Sequence, residues 1–159
     1  MGNPILKPQT KIEKNEGCCP VAATFTDGVF YDSKDGLYKM WYQAGWFDGT
    51  AYAESLDGQN WYRPDLDVVP GTNMVLPFRK GYKRDGATVW IDHETKDPKS
   101  RYKLFVFFRK NEVEEIGELY ISSDGIHWNG PTITGPCGDA SSFFYNPFRK
   151  KWVFSIRKV

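Results

Sequence analysis

Short alternating apolar segments, each closed by a Gly-, Pro- or Asp-rich turn, run the length of the chain. Thr26-Asp27-Gly28-Val29-Phe30-Tyr31-Asp32 leads through the turn at 33–36 into Leu37-Tyr38-Lys39-Met40-Trp41-Tyr42. Farther on, Asp85-Gly86-Ala87-Thr88-Val89-Trp90-Ile91-Asp92 leads through a polar turn with Asp97-Pro98 into Arg101–Phe108. Near the end, Asp139-Ala140-Ser141-Ser142-Phe143-Phe144-Tyr145-Asn146 leads through a turn at 147–150 into Lys151–Ile156. A two-residue period of this kind predicts half-buried strands joined as hairpins. No stretch has a helical period with caps; Lys110–Glu118 is too short and too charged to decide.

Laid against itself, the chain repeats. Ser55-Leu56-Asp57-Gly58-Gln59-Asn60-Trp61 matches Ser122-Ser123-Asp124-Gly125-Ile126-His127-Trp128 as S-x-D-G-x-x-W. Alternating segments precede both, Gly49–Glu54 in the first copy and Gly117–Ser122 in the second. The chemistry is that of a tight turn: Asp accepts backbone N–H groups, Gly takes a positive φ, and Trp begins the return strand. Each full unit then reads as four antiparallel strands, at about 24–64 and 85–131, with 65–84 a long connection and a half unit at 139–159. Four-stranded units in tandem are the mark of a β-propeller. The predicted fold is therefore all-β, a single partial propeller domain over 1–159 of about two and a half blades. A plain meander or sandwich is the competing arrangement.

Composition narrows the function classes. Aromatic residues make up 16% of 159 residues, with 15 Gly and 10 Pro, which suits many short strands and turns. A net charge of +1 without a basic run argues against a nucleic-acid partner. No apolar run is long enough for a membrane helix. Met1-Gly2-Asn3-Pro4 lacks the regions of a secretory signal, which leaves the compartment open between the cytoplasm and export with a leader removed. Cys18, Cys19 and Cys137 lack zinc spacing and read as reduced thiols, and His93 and His127 read as turn residues.

Alignment of the units exposes a carboxylate at each strand entry: Asp27, Asp85 and Asp139. On propeller geometry, three such positions on successive blades gather at one end of the central axis. Paired carboxylates there suit glycosidic cleavage, one as acid and one as base or nucleophile. The bland alternative is that each caps its strand entry by accepting backbone amides. Among the aromatics of the 41–49 region, Trp46 is the expected sugar platform. Trp41 is a weaker candidate, because it alternates inside a strand.

In the order of its motifs, the chain resembles the N-terminal portion of the five-bladed propeller glycosidases around glycoside hydrolase families 32 and 43. The motifs are Asn3-Pro4-Ile5-Leu6, Asp27–Asp32, Tyr38–Tyr42, Arg84-Asp85, the two S-x-D-G-x-x-W turns, and Gly138-Asp139 with Phe143–Pro147. The resemblance implies Asp27 as base or nucleophile, Asp85 after Arg84 as the residue that orients the sugar, and Asp139 as general acid. That last position departs from the family, where it is usually glutamate. It further implies a carbohydrate substrate, with Arg84 on a substrate hydroxyl or carboxylate or paired to Asp85. No cofactor is implied, although some relatives hold an axial calcium. A non-catalytic carbohydrate-binding or interaction propeller is the alternative function. Five units of this length need on the order of 280 residues. The expectation is therefore a piece of a longer enzyme, with little or no catalysis of its own, that self-associates or dimerises through open strand edges.

Overall fold

The computed structural model describes residues 4–111 and 113–158. Asn3 of the Asn3-Pro4-Ile5-Leu6 motif lies outside them. The protein is all-β, built of antiparallel sheets, none of them closed. It divides into two compact units, Met1–Arg79 and Lys80–Val159.

The first unit opens with the single-turn helix α1 (Lys11–Lys14) and continues into a five-stranded sheet of β1 (Ala22–Ala23), β2 (Val29–Asp32), β3 (Leu37–Ala44), β4 (Gly49–Ser55) and β5 (Met74–Leu76). Both β1 and β2 pair with β3, so together they form one interrupted edge strand. Met40, Tyr42, Ala44, Ala51, Ala53 and Met74 make the core, with Leu6, Ile12 and Trp61 packed on it.

Two features depart from the sequence expectation. The return strand expected from Trp61 does not form: Tyr62 alone bridges Glu54, and the outer edge of β4 is taken by β5 from the segment read as a connection. Pro64 explains the break, since it has no N–H to continue a ladder. The second is α1. Its signal was the capping box Thr10-Lys11-Ile12-Glu13: the Thr10 hydroxyl accepts from Glu13 N at 3.2 Å, and Glu13 accepts from Thr10 N at 2.9 Å.

Glu13 does more than cap. It is fully buried and accepts from Gln9 N (2.7 Å), Tyr42 Oη (2.6 Å) and Arg63 Nε (2.8 Å). Asn73 Nδ2 donates to Tyr42 Oη (2.7 Å) and to the Tyr52 carbonyl (2.6 Å), while Arg63 reaches the Lys7 carbonyl (2.8 Å). One ionic network thus ties the N-terminal strap and the 61–73 loop to the sheet. Burial raises the Glu13 carboxyl, but its donors from Gln9, Tyr42, Thr10 and Arg63 outweigh that and hold it below the usual carboxylate value. Burial, then the bond to Glu13, pushes the Tyr42 phenol up.

The second unit holds a four-stranded meander, β6 (Tyr82–Ile91), β7 (Tyr102–Lys110), β8 (Glu114–Ser122) and β9 (Asn129–Gly135), then the hairpin β10 (Ser142–Asn146) and β11 (Lys151–Ser155). Lys110–Glu118, undecided in the sequence, is the β7–β8 hairpin. Phe105 of β7 meets Phe143 of β10 at 6.3 Å and Phe154 of β11 at 5.7 Å, and Trp90 of β6 meets Trp152 at 6.3 Å. The hairpin therefore packs on one face of the meander. Phe143 is buried by that packing, while Phe154 stays 38% exposed.

Both S-x-D-G-x-x-W turns carry the same bonds. Ser55 Oγ accepts from Gly58 N and Ser122 Oγ from Gly125 N, each at 2.9 Å. Asp57 Oδ1 accepts from Gln59 N (2.8 Å) and Asn60 N (2.7 Å); Asp124 Oδ1 accepts from Ile126 N and His127 N, both at 2.8 Å. Gly58 and Gly125 have φ of 70° and 80°, which only glycine adopts without strain. Desolvation raises the Asp124 carboxyl, but bonds from the His127 ring and from the His127 and Ile126 amides bring it down to about 2. A further repeat lies at the opposite strand ends: Lys39 pairs with Asp32 (3.1 Å) and Lys103 with Asp92 (2.9 Å). Because Ser122 is fully buried, Ser122→Ala is expected to cost about 1–3 kcal/mol by removing the hydroxyl that accepts from the Asp124 and Gly125 amides. Urea unfolding checks this, with Ser123→Ala, on an exposed neighbour, expected to leave the midpoint in place.

Candidate functional site

Each expected carboxylate sits where an edge strand is broken or about to begin. In the first unit, β1 ends at Ala23 opposite Gln43 and β2 resumes at Val29 opposite Met40. The excursion between them contains Asp27-Gly28. In the second unit the β6–β7 register shifts between Arg84, opposite Phe108, and Ala87, opposite Val106, so that Asp85-Gly86 bulges out. Asp139 stands in the turn before β10, followed by Ala140 at φ 59°. Strand interruptions re-aim side chains and gather near functional sites. Asp85 was expected to open its strand; instead β6 begins at Tyr82, because Tyr82–Arg84 pair with β7 beyond the bulge.

Asp27 is fully buried, and its Oδ2 accepts from Phe25 N at 3.3 Å, the capping bond of the bland reading. Gly28 beside it has φ 125°, and a Cβ there would fall 2.4 Å from the Phe30 ring, so the excursion tolerates no side chain. Trp41 is also fully buried, between Phe30 (6.4 Å) and Tyr52 (5.5 Å), and offers no face to a ligand. Trp46 is 54% exposed in the β3–β4 turn, edge-on to Phe47 at 4.6 Å.

The other two carboxylates belong to the second unit. Arg84 is entirely enclosed, and its Nη1 donates to the Asp85 carbonyl at 3.3 Å. Burial drives its guanidinium down to about 9, with the charge of Asp85 opposing, so it keeps its proton at neutral pH. On its outer side, Asp85 Oδ2 pairs with Arg109 Nη2 at 2.6 Å. Arg109 in turn lines a cavity of about 380 Å³ with Glu115, Gly138, Asp139, Arg157 and Lys158. Within it Arg157 Nη1 lies 3.4 Å from Asp139 Oδ2. Arg109 thus links Asp85 to the cavity that Asp139 lines, whereas Asp27 belongs to the other unit.

Arg109 and Arg157 were not singled out in the sequence. Arg109 lies near the end of β7 in a stretch of mixed charge, and Arg157 follows the last apolar strand, so neither carries a local motif. Among the described residues no group of three or more His, Cys, Asp and Glu side chains is arranged to hold a metal ion. Cys18 and Cys19 are exposed free thiols and Cys137 is buried. No helix among the described residues is long and apolar enough to cross a membrane. The chain matches no protein-family model and no curated protein.

Proposed function

We propose that the repeated sheets are blades of a β-propeller of the five-bladed glycosidase type, and that the protein is a carbohydrate-active hydrolase of the family 32/43 kind. The observation that carries this reading is the recurrence of an aspartate at an interrupted or opening edge strand in three successive units, Asp27, Asp85 and Asp139. Equivalent turns with equivalent hydrogen bonds support the repeat, as does the packing of the β10–β11 hairpin on a face of the β6–β9 meander. Blades stack face to face in this way in propellers. In the proposed chemistry Asp27 is the base or nucleophile, Asp85 orients the sugar with Arg84 behind it, and Asp139 delivers the proton.

A second reading, a non-catalytic carbohydrate-binding module, is favoured by a specific observation. Asp27 is enclosed, while Asp85 and Asp139 both hold arginines. A glycoside and oligosaccharide panel, read for binding and for release of reducing ends, separates the two. Hydrolysis that falls about 10²–10⁴-fold in Asp27→Asn and Asp85→Asn, with binding retained, supports the enzyme. Binding without hydrolysis by the unmodified protein supports the module. An unmodified protein that binds no saccharide contradicts both.

A further inference from the structure

The cavity beside Asp139 has a composition unlike that of a neutral-sugar subsite. Its lining residues are Arg109, Glu115, Gly138, Asp139, Arg157 and Lys158, with no aromatic or aliphatic side chain among them. A neutral sugar ring gains much of its affinity by laying its C–H face on an aromatic surface, and this wall offers none. Pockets for small ligands span about 300–1,000 Å³, so a volume of about 380 Å³ suits one substituted ring. What the wall offers instead is charge: three cations against two carboxylates.

Two of the three cations are held by partners, Arg109 through its side chain and Arg157 through its backbone and side chain. Arg109 is drawn toward Asp85 at 2.6 Å, and Asp85 stands on the buried charge of Arg84. Arg157 is fixed through its backbone: its N donates to Ser141 Oγ at 3.1 Å, its carbonyl accepts from Gly138 N at 2.8 Å, and Ser141 Oγ donates to the Gly138 carbonyl at 2.7 Å. Its stem lies on Gly138, where a Cβ would fall 3.3 Å from Arg157 Cγ and from its carbonyl oxygen. A side chain at 138 would press on that stem by a few tenths of an ångström. Its contact with Asp139, at 3.4 Å, is long for a charged hydrogen bond. Arginine forks match planar or tetrahedral oxyanions, taking two oxygens at once.

We infer that this cavity binds the anionic substituent of an acidic saccharide, a uronate carboxylate or a sulfate ester, through Arg109, Arg157 and Lys158. This rests on the carbohydrate reading above and names its substrate class. On this account Asp85 and Asp139 align the arginines as well as serving the chemistry.

Titration calorimetry of the whole protein tests it with three saccharides, an oligogalacturonate for the carboxylate, a sulfated oligosaccharide for the sulfate and a neutral oligosaccharide of matched length, and with acetate and sulfate as simple anions. One or both acidic probes are expected to bind at least about tenfold more tightly than the neutral one. That preference is expected to shrink as salt is raised, since partly exposed ion pairs are screened. Arg157→Gln is expected to weaken the acidic probe by about tenfold or more, and Arg149→Gln, on the β10–β11 turn, to leave it unchanged. The salt titration uses only the unmodified protein, so it decides even where Arg157→Gln fails to fold. Equal binding of neutral and acidic probes overturns the inference and leaves the carbohydrate reading intact. Simple acetate or sulfate bound as tightly as either acidic saccharide, with no neutral saccharide bound, keeps an anion site and overturns the carbohydrate reading.

Discussion

Replacing Glu13 by alanine is expected to cost about 3–5 kcal/mol, a large share of the roughly 5–15 kcal/mol that holds a domain folded. The carboxylate is fully buried and carries one ionic and several hydrogen-bonding partners at once. Its removal leaves Arg63 with 13% side-chain exposure and no counter-charge, and strands the Tyr42 hydroxyl and two amides of the strap. Losing one partner of a buried pair costs far more than the pair contributes net. Hydrogen exchange is expected to quicken across Leu37–Ala44 and Gly49–Ser55, the strands the network braces. The pH dependence has a definite sign. A carboxyl held below its ordinary value of 4.5 stabilises the fold fully above that value and loses the contribution as pH falls through its lowered folded value. Glu13→Gln is expected to flatten the unfolding midpoint against pH in that acid window, while the unmodified protein declines there. An equal acid slope in both would show that Glu13 does not set it.

Phe105→Ala is the second large effect, at about 3–5 kcal/mol. The ring is wholly buried and holds the β10–β11 hairpin to the meander through Phe143 and Phe154. Its loss opens a cavity bordered also by Gly117, where an added Cβ would come within 2.8 Å of the Phe105 ring. Phe105→Leu, which keeps most of the volume, is expected to cost less than half as much. Alanine and leucine variants of equal stability would mean that the hairpin is not seated on this ring.

Much of this architecture was legible in the pattern of alternation. The hairpins around 33–36 and 147–150 and the β6–β7 pair follow from apolar periods broken by turn residues, whereas the charged β7–β8 hairpin is undecided in the sequence. The two S-x-D-G-x-x-W motifs fold alike because one aspartate oxygen caps two amides in each. What escaped was non-local. The fourth strand of the first sheet depended on Pro64 ending one candidate and on Met74–Leu76, three residues with too little pattern to signal a strand. The Glu13 network joins positions up to 56 residues apart, which no window along the chain can see. For the site, the three aspartates were found by repeat alignment. Their arginine partners were not, because Arg109 and Arg157 acquire meaning only when the β6–β7 bulge and the turn before β10 bring them to one cavity.

A crystal structure of the protein with the tightest-binding saccharide from the panel tests the central claim most directly. The account predicts the saccharide in the cavity beside Asp139, an acidic group on Arg157 or Arg109, and sheets stacked as blades about an axis. A saccharide bound away from Asp85 and Asp139, or sheets arranged as a plain sandwich, would contradict it.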